Sequence, residues 1–514
     1  MTSEAAPPKF SRTALVCCVW ALAAPAVAAA AGPDTRLLDA ARRADAPAVR
    51  ALLRDKVDVN ATEPDGTTAL HWAVRKNHLD VTRLLLRAGA KVGATTRYGV
   101  SPLFLASLNG SAVVAGALIA AGADVNAANP GGETPLMTAA RAGAADLVKL
   151  LVSRGANVNA AEKVRGQTAL MWAVQENHLA VARLLVEVGA EINGRTAVAV
   201  PAGTNGRSEA PSGDIGAHGP GIYRSRAVPS PSGGMTPLLF AAREGYLDMA
   251  RFLLESRADV NLSSANGTGP LVVAISNNHI EMAMMLVDKG ADVNAADAFH
   301  KRTPLYAAVE RRNPDYARDT ADPLPDAKDP MDLIKMLLAK GANPNARVNT
   351  TPVRGFMQVS ANWANFDGQT AFLRAALSGD ITLMRVLLDH GADPNLGTFD
   401  GATPLMAAAG VNWVVSQTFS RSDEEYLQAA ALCLEKGNDV NAVNSQGFAA
   451  IHGAANRGFD AMVKFLAQKG AKLDVKDKQG RTPLTFAEGV FLAVHPPAGK
   501  PSTAALVQSL TASR

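Results

Sequence analysis

Thr68-Ala69-Leu70-His71-Trp72-Ala73-Val74 returns one hundred positions later as Thr168-Ala169-Leu170-Met171-Trp172-Ala173-Val174. The same opening recurs at Thr134-Pro135-Leu136 and Thr403-Pro404-Leu405, and reading outward gives twelve such anchors: Thr35, Thr68, Ser101, Thr134, Thr168, Thr236, Gly269, Thr303, Thr370, Thr403, Ala449 and Thr482. In unit after unit an asparagine follows the anchor by 25 residues (Thr35 to Asn60, Thr134 to Asn159, Thr168 to Asn193, Thr236 to Asn261, Thr370 to Asn395), and the next anchor comes eight or nine residues later. A period of about 33 residues describes a stack of small repeated units, not three or four separate domains. The anchors leave no room for a second globular domain.

Each unit can be read physically. The anchor hydroxyl is placed to cap a short helix, with Pro at its first position, where a missing N–H costs nothing. A second helix follows, apolar at i, i+3 and i+4: Val81/Leu84/Leu85, Leu147/Leu150/Leu151, Met249/Phe252/Leu253, Met462/Phe465/Leu466. Glycine closes it in nearly every unit (Gly89, Gly122, Gly155, Gly189, Gly290, Gly341, Gly391, Gly437, Gly470), supplying a left-handed turn. Arg257 stands at that place in one unit and predicts local strain.

Anchors, spacing and glycines together resemble the ankyrin-repeat family over residues 34–490. The resemblance implies an all-α solenoid of stacked helix-turn-helix units with loop insertions. It also implies a concave surface of projecting turns and inner helices that binds proteins. The histidine of the family's Thr-Pro-Leu-His pattern is kept only at His71 and His452 and replaced by Phe104, Met137, Met171 and Tyr306 elsewhere, a structural position.

With 514 residues, 48% hydrophobic and 19% charged, the chain can bury a core, and a net charge of +4 is too small for a nucleic-acid coat. Lys9 and Arg12 precede an apolar run from Ala14 to Ala24, then Pro25 and the small residues Ala26 to Ala30. Residues 1–30 therefore read as a secretory signal peptide, and the protein as an exported, bacterial-type member of the family, periplasmic or secreted, with no stable membrane anchor after cleavage. Cys17 and Cys18 leave with the leader; Cys433 remains as a buried helix residue, and no intrachain disulfide is expected.

Insertions interrupt the period. Gly194 to Gly233 is rich in Gly, Pro and Ser and reads as a flexible loop. The segments 313–329, 346–366 and 411–423 are further insertions, the last two carrying Phe356, Trp363, Phe366, Trp413 and Phe419, which either pack on the solenoid or form an exposed anchor for a partner. Residues 491–514 read as a C-terminal cap with a weak helix near 504–510.

No His-Glu-x-x-His, Cys-x-x-Cys-His, Gly-x-Ser-x-Gly or phosphate loop occurs, so the sequence assigns no catalytic residue, cofactor or metal. His78, His178 and His279 share one repeat position and read as structural, and Trp72 and Trp172 read mostly as core between units. The exposed end of the inner helix carries Arg75, Lys76, Arg141, Arg243, Arg311 and Arg457, a mildly basic face suited to an acidic protein. The expected function is a non-catalytic protein-interaction scaffold holding another exported protein; the alternative is a small-ligand or catalytic site built by the insertions against the groove. N-terminal sequencing of exported material should find the mature chain starting between Ala29 and Pro33; an intact Met1 in a soluble cytoplasmic fraction would overturn the leader.

Overall fold

The computed structural model describes residues 34–200, 231–313, 329–349, 367–412, 421–490 and 498–513. The leader, and Phe356, Trp363, Phe366, Trp413 and Phe419, lie outside the described residues, as do positions 201–230, 314–328, 350–366 and 413–420 of the insertions.

Every one of the twelve anchors stands at the N-cap of a short inner helix, and an outer helix follows it: Thr68 precedes Ala69–Arg75 and Leu79–Arg87, Thr134 precedes Pro135–Arg141 and Ala145–Ser153, Thr403 precedes Pro404–Ala408 and Asp423–Glu435. Among the described residues this gives 24 helices and one two-residue strand pair, an all-α stack. Apart from Thr35, the serine and threonine anchors accept the N–H three residues on, as Ser101 does from Phe104 at 3.2 Å and Thr370 from Leu373 at 3.2 Å. Ala449 has no hydroxyl; there the Nδ1 of His452 accepts the Ala449 N–H at 3.0 Å. His71 does the same for Thr68 at 3.2 Å, which fixes its proton on Nε2, facing the Val100 carbonyl at 3.0 Å. Burial holds both imidazoles below their ordinary range, His452 down to about 4.

The apolar triads of the outer helices split in the structure. Val81, Leu85, Leu147, Leu151, Met462 and Leu466 are fully buried, whereas the i+3 members Leu84, Leu150 and Phe465 are half-buried at the edge of the stripe. Cys433 is buried, and burial pushes its thiol well above the usual range, so it is an inert core residue. Arg257 adopts φ +71°, the left-handed turn that glycine supplies in most units and Lys56 (φ +57°) in the first.

The asparagine that closes the unit, 25 residues after the anchor where no insertion parts the two helices, joins neighbouring units. In eight places its Nδ2 donates to the carbonyl at the end of the next outer helix, and its Oδ1 accepts an N–H two residues further on. Asn60 does so with Gly89 and Lys91 (3.3 and 2.8 Å), Asn126 with Gly155 and Asn157 (3.0 and 2.8 Å), and Asn441 with Gly470 and Lys472 (3.1 and 2.8 Å). Asn159, Asn261 and Asn345 repeat the pattern. Asn193 reaches Arg257 and Asp259, and Asn294 reaches Gly341 and Asn343, so the rung closes across insertions. Asn395 makes a variant rung to the Lys436 carbonyl and the Asn438 carboxamide.

Two regions differ from the sequence expectation. The 194–233 segment is a short antiparallel ribbon at its base, Val198–Ala199 pairing with Ser232–Gly233, because the turn before each anchor must satisfy its backbone amides and here Thr196 and Met235 do so reciprocally. At the C-terminus, Pro501–Ala512 is a full helix, longer than the weak one expected; it packs on Asp460–Gln468 and Pro483–Glu488 and occupies the outer-helix place of the twelfth unit.

The second unit has Gly93 where nine others carry asparagine, with open space around the site of its missing Cβ and no left-handed backbone. Gly93→Asn supplies a carboxamide toward Gly122 and Asp124, and should raise stability by about 1 kcal/mol in urea unfolding; an unchanged or lower midpoint would contradict the rung's role.

Candidate functional site

Stacking aligns the inner helices side by side, so residues four and seven positions after each anchor form parallel rows along one face. In the first six units these rows are partly open. Trp72 is half-buried, with the Arg42 guanidinium 4.4 Å from its ring centroid and that of Arg75 at 5.4 Å. Its indole N–H donates to Glu63 Oε1 at 3.1 Å, and Glu63 also accepts from Arg42. Trp172 is again half-buried, with Arg141 at 5.0 Å. The turn before the fifth anchor is one residue longer than that before the second, so Glu162 stands in the place of Glu63 but spends its carboxylate on the turn's own N–H groups, and among the described residues the Trp172 indole N–H meets no acceptor. In keeping with a place mostly in the core between units, both tryptophans are partly buried and packed against the stack, and guanidiniums lie over their rings in a cation–π arrangement.

The sequence-predicted basic residues are placed unequally. Arg75 and Lys76 are exposed. Arg141 is half-buried and paired with Glu133 at 3.0 Å, Arg243 is paired with Glu244 at 2.7 Å and lies over Phe240, and Arg311 donates to Asn278 at 2.9 Å. Arg457 lies between the rings of Tyr426 (4.1 Å) and Phe459 (4.8 Å), bonds Asp423 at 3.2 Å, and has its pKa lowered by burial. His178 and His279 put Nε2 at 3.0 Å from the Arg141 and Arg243 carbonyls of the preceding units, and His78 caps its own helix, all structural roles.

In units 8 to 10 the inner face is closed. Pro304–Val309 of the eighth unit, Ala371–Leu377 of the ninth and Pro404–Ala408 of the tenth are buried throughout, including Arg374 at 6% exposure. Next to them is a charged cluster that the sequence reading missed. Asp380, 1% exposed, caps the helix Ile381–Asp389 through Oδ1 and the Leu383 N–H (3.2 Å), while its Oδ2 accepts from Arg312 Nε at 2.8 Å and Arg421 Nη2 at 2.9 Å. Arg374 donates to the Asn313 carbonyl at 2.6 Å, Arg421 to the Asn313 side chain at 3.3 Å, and Arg312 bonds Asp329. Burial raises the pKa of Asp329, but the Arg312 bond, the Met331 N–H and the charges of Arg312 and Arg421 together outweigh it, and the carboxyl sits below its ordinary range. Arg312, Asn313 and Asp329 flank positions 314–328, and Arg421 follows 413–420, so one carboxylate gathers the ends of both inter-helix insertions. A second, little-exposed ion pair joins Arg302 and Glu310 at 2.6 Å.

The family description for ankyrin repeats, in three-copy blocks, matches residues 37–129, 115–196, 238–319, 326–416 and 421–489, well over half of the chain. The chain belongs to the ankyrin-repeat family. Ankyrin repeats are protein–protein interaction modules, and the family is typically non-enzymatic. Similar proteins include the inactive serine/threonine-protein kinase TEX14 of Mus musculus, 38% identical over 89 residues, which are 16% of this chain and 6% of that protein. Another is the E3 ubiquitin-protein ligase KEG of Arabidopsis thaliana, 29% identical over 171 residues (32% and 9%). A third is ankyrin repeat and KH domain-containing protein 1 of Homo sapiens, 33% identical over 116 residues (22% and 4%). The chain spans under a tenth of each of these relatives, all of them eukaryotic. Among the described residues no three His, Cys, Asp or Glu side chains are grouped to hold a metal ion.

Asp380→Asn keeps a capping oxygen but removes the charge that Arg312 and Arg421 share. Breaking a buried ion pair should cost roughly 3–5 kcal/mol in urea denaturation; a loss below about 1 kcal/mol would show the cluster to be well solvated.

Proposed function

We propose that this ankyrin-repeat chain is a non-catalytic scaffold that holds an acidic, exported protein on the inner-helix face of its first six units. The observation that carries this reading is the contrast along one face. Trp72 with Arg42, Arg75 and Lys76 is accessible at one end, whereas every residue of Ala371–Leu377 is buried further along. An accessible indole flanked by guanidiniums suits an interface anchor, since aromatic and arginine side chains supply most binding energy at protein contacts. The mild excess of cations on that face gives the preference for an acidic partner. Export rests on the leader pattern of residues 1–30.

The test is affinity capture from the exported fraction with the wild-type chain and with the double variant Arg75→Glu, Lys76→Glu. Both side chains are exposed, so the melting temperature should stay within about a degree, a surface substitution contributing little to stability. A protein retained by the wild type, lost from the variant and released by salt supports the reading. Equal recovery on both would remove the inner face from the binding surface.

A further inference from the structure

We propose that the projecting turns before the third to sixth anchors form a peripheral membrane contact, seated on an anionic bilayer surface. Four large apolar side chains stand at these tips: Tyr98 at 61% exposure, Val164 at 76%, Val198 at 54% and Val200 at 75%, and the tip between Tyr98 and Val164 is the exposed Pro130. Between them are the exposed cations Arg97, Lys163, Arg165 and Arg195. Arg97 lies 4.7 Å over the Tyr98 ring and bonds its hydroxyl, an amphipathic pair with a polar rim and an apolar body.

The tips are held in one continuous edge. Arg97 N–H donates to the Asp65 carbonyl, Lys163 N–H to Gly131 and Ala197 N–H to Arg165, at 2.7–2.8 Å. At the one place where proline removes this donor, Pro130 lies against Gly99 so closely that a Cβ there would meet its Cδ at 2.2 Å. Carboxylates along the edge are turned inward. Glu162 accepts the Val164, Arg165 and Gln167 N–H groups at 2.6–3.1 Å, Glu133 pairs with Arg141, and Asp65 caps its own turn through Thr67. Among the described residues these turns therefore present cations and apolar side chains, with Glu162, Glu133 and Asp65 engaged inward. In the next turn, Ser264 to Gly267, the tips are polar and the pattern stops.

A lipid surface fits this arrangement better than a protein does. Protein hot spots are buried in matching pockets, whereas these side chains project singly from an edge with no groove between them. At a bilayer boundary, apolar tips enter between headgroups while Arg and Lys meet anionic phosphates. No helix of the described residues is long and apolar enough to cross a membrane, so the contact lies on the surface.

The test uses the full chain with Cys17→Ser and Cys18→Ser, leaving Cys433 buried and unreactive, and an environment-sensitive label on Val164→Cys. Phosphatidylcholine vesicles containing phosphatidylglycerol should shift the label's emission to the blue and expose it to lipid-phase quenchers, while phosphatidylcholine alone should not. Arg97→Gln with Lys163→Gln and Arg165→Gln should weaken that response by about a hundredfold in vesicle affinity, as three cations leave the surface, and Tyr98→Ser with Val200→Ser should abolish quenching. The proposal falls if neutral and anionic vesicles act alike, if the tip variants respond as the parent does, or if polyglutamate shifts the label and vesicles do not. The last result would assign the edge to an acidic protein.

Discussion

One carboxamide in each of eight units holds this stack in register. The asparagine that ends such a repeat returns two hydrogen bonds to the next, one to an orphan helix-terminal carbonyl and one from the N–H just beyond it. Helix ends leave such groups unpaired, and an isolated two-helix unit has no other partner for them. Burial of the apolar stripes supplies the larger share of the free energy, but it is non-directional and would tolerate sliding. The rung is directional, so it fixes which residue of one unit faces which residue of the next, and every row on the inner face inherits that alignment.

What could be read from the sequence follows from the range of the interactions. The anchors, the glycine turns and the left-handed Arg257 obey rules that act within a few residues, and each stands where the pattern puts it. The asparagine was visible as a periodic mark, but its partners lie about thirty residues away and had no local signature. Asp380 and Arg421 are harder still: nothing near either one indicates that a carboxylate in one unit draws in arginines from the units on both sides. The closed inner face of units 8 to 10 is likewise a property of packing between distant segments. Trp72 and Trp172 look alike in sequence, yet the turn beside the second is one residue longer and its Glu162 caps the turn's own amides, so one indole has the Glu63 acceptor and the other has none among the described residues.

The two ends of the solenoid thus use charge differently. Toward the N-terminus, guanidiniums lie on accessible rings or reach water; toward the C-terminus they are consumed inside, by Asp380, Glu310 and the Asn313 carbonyl. A guanidinium already desolvated and paired has little left to offer a visitor, so the same residue type serves recognition in one half and cohesion in the other.

The rung from Asn294 to Gly341 joins residues 47 apart, and that from Asn193 to Asp259 joins residues 66 apart, with geometry like those of uninterrupted units. Because loop-closure entropy grows only with the logarithm of length, a joint of this kind is nearly indifferent to how much chain leaves and returns between its two sides. The spacing of the neighbouring repeats is thus insulated from the length of chain that leaves between them, even where, as at 313–329, the ends of the insertion are moored to the stack through Arg312 and Asp380.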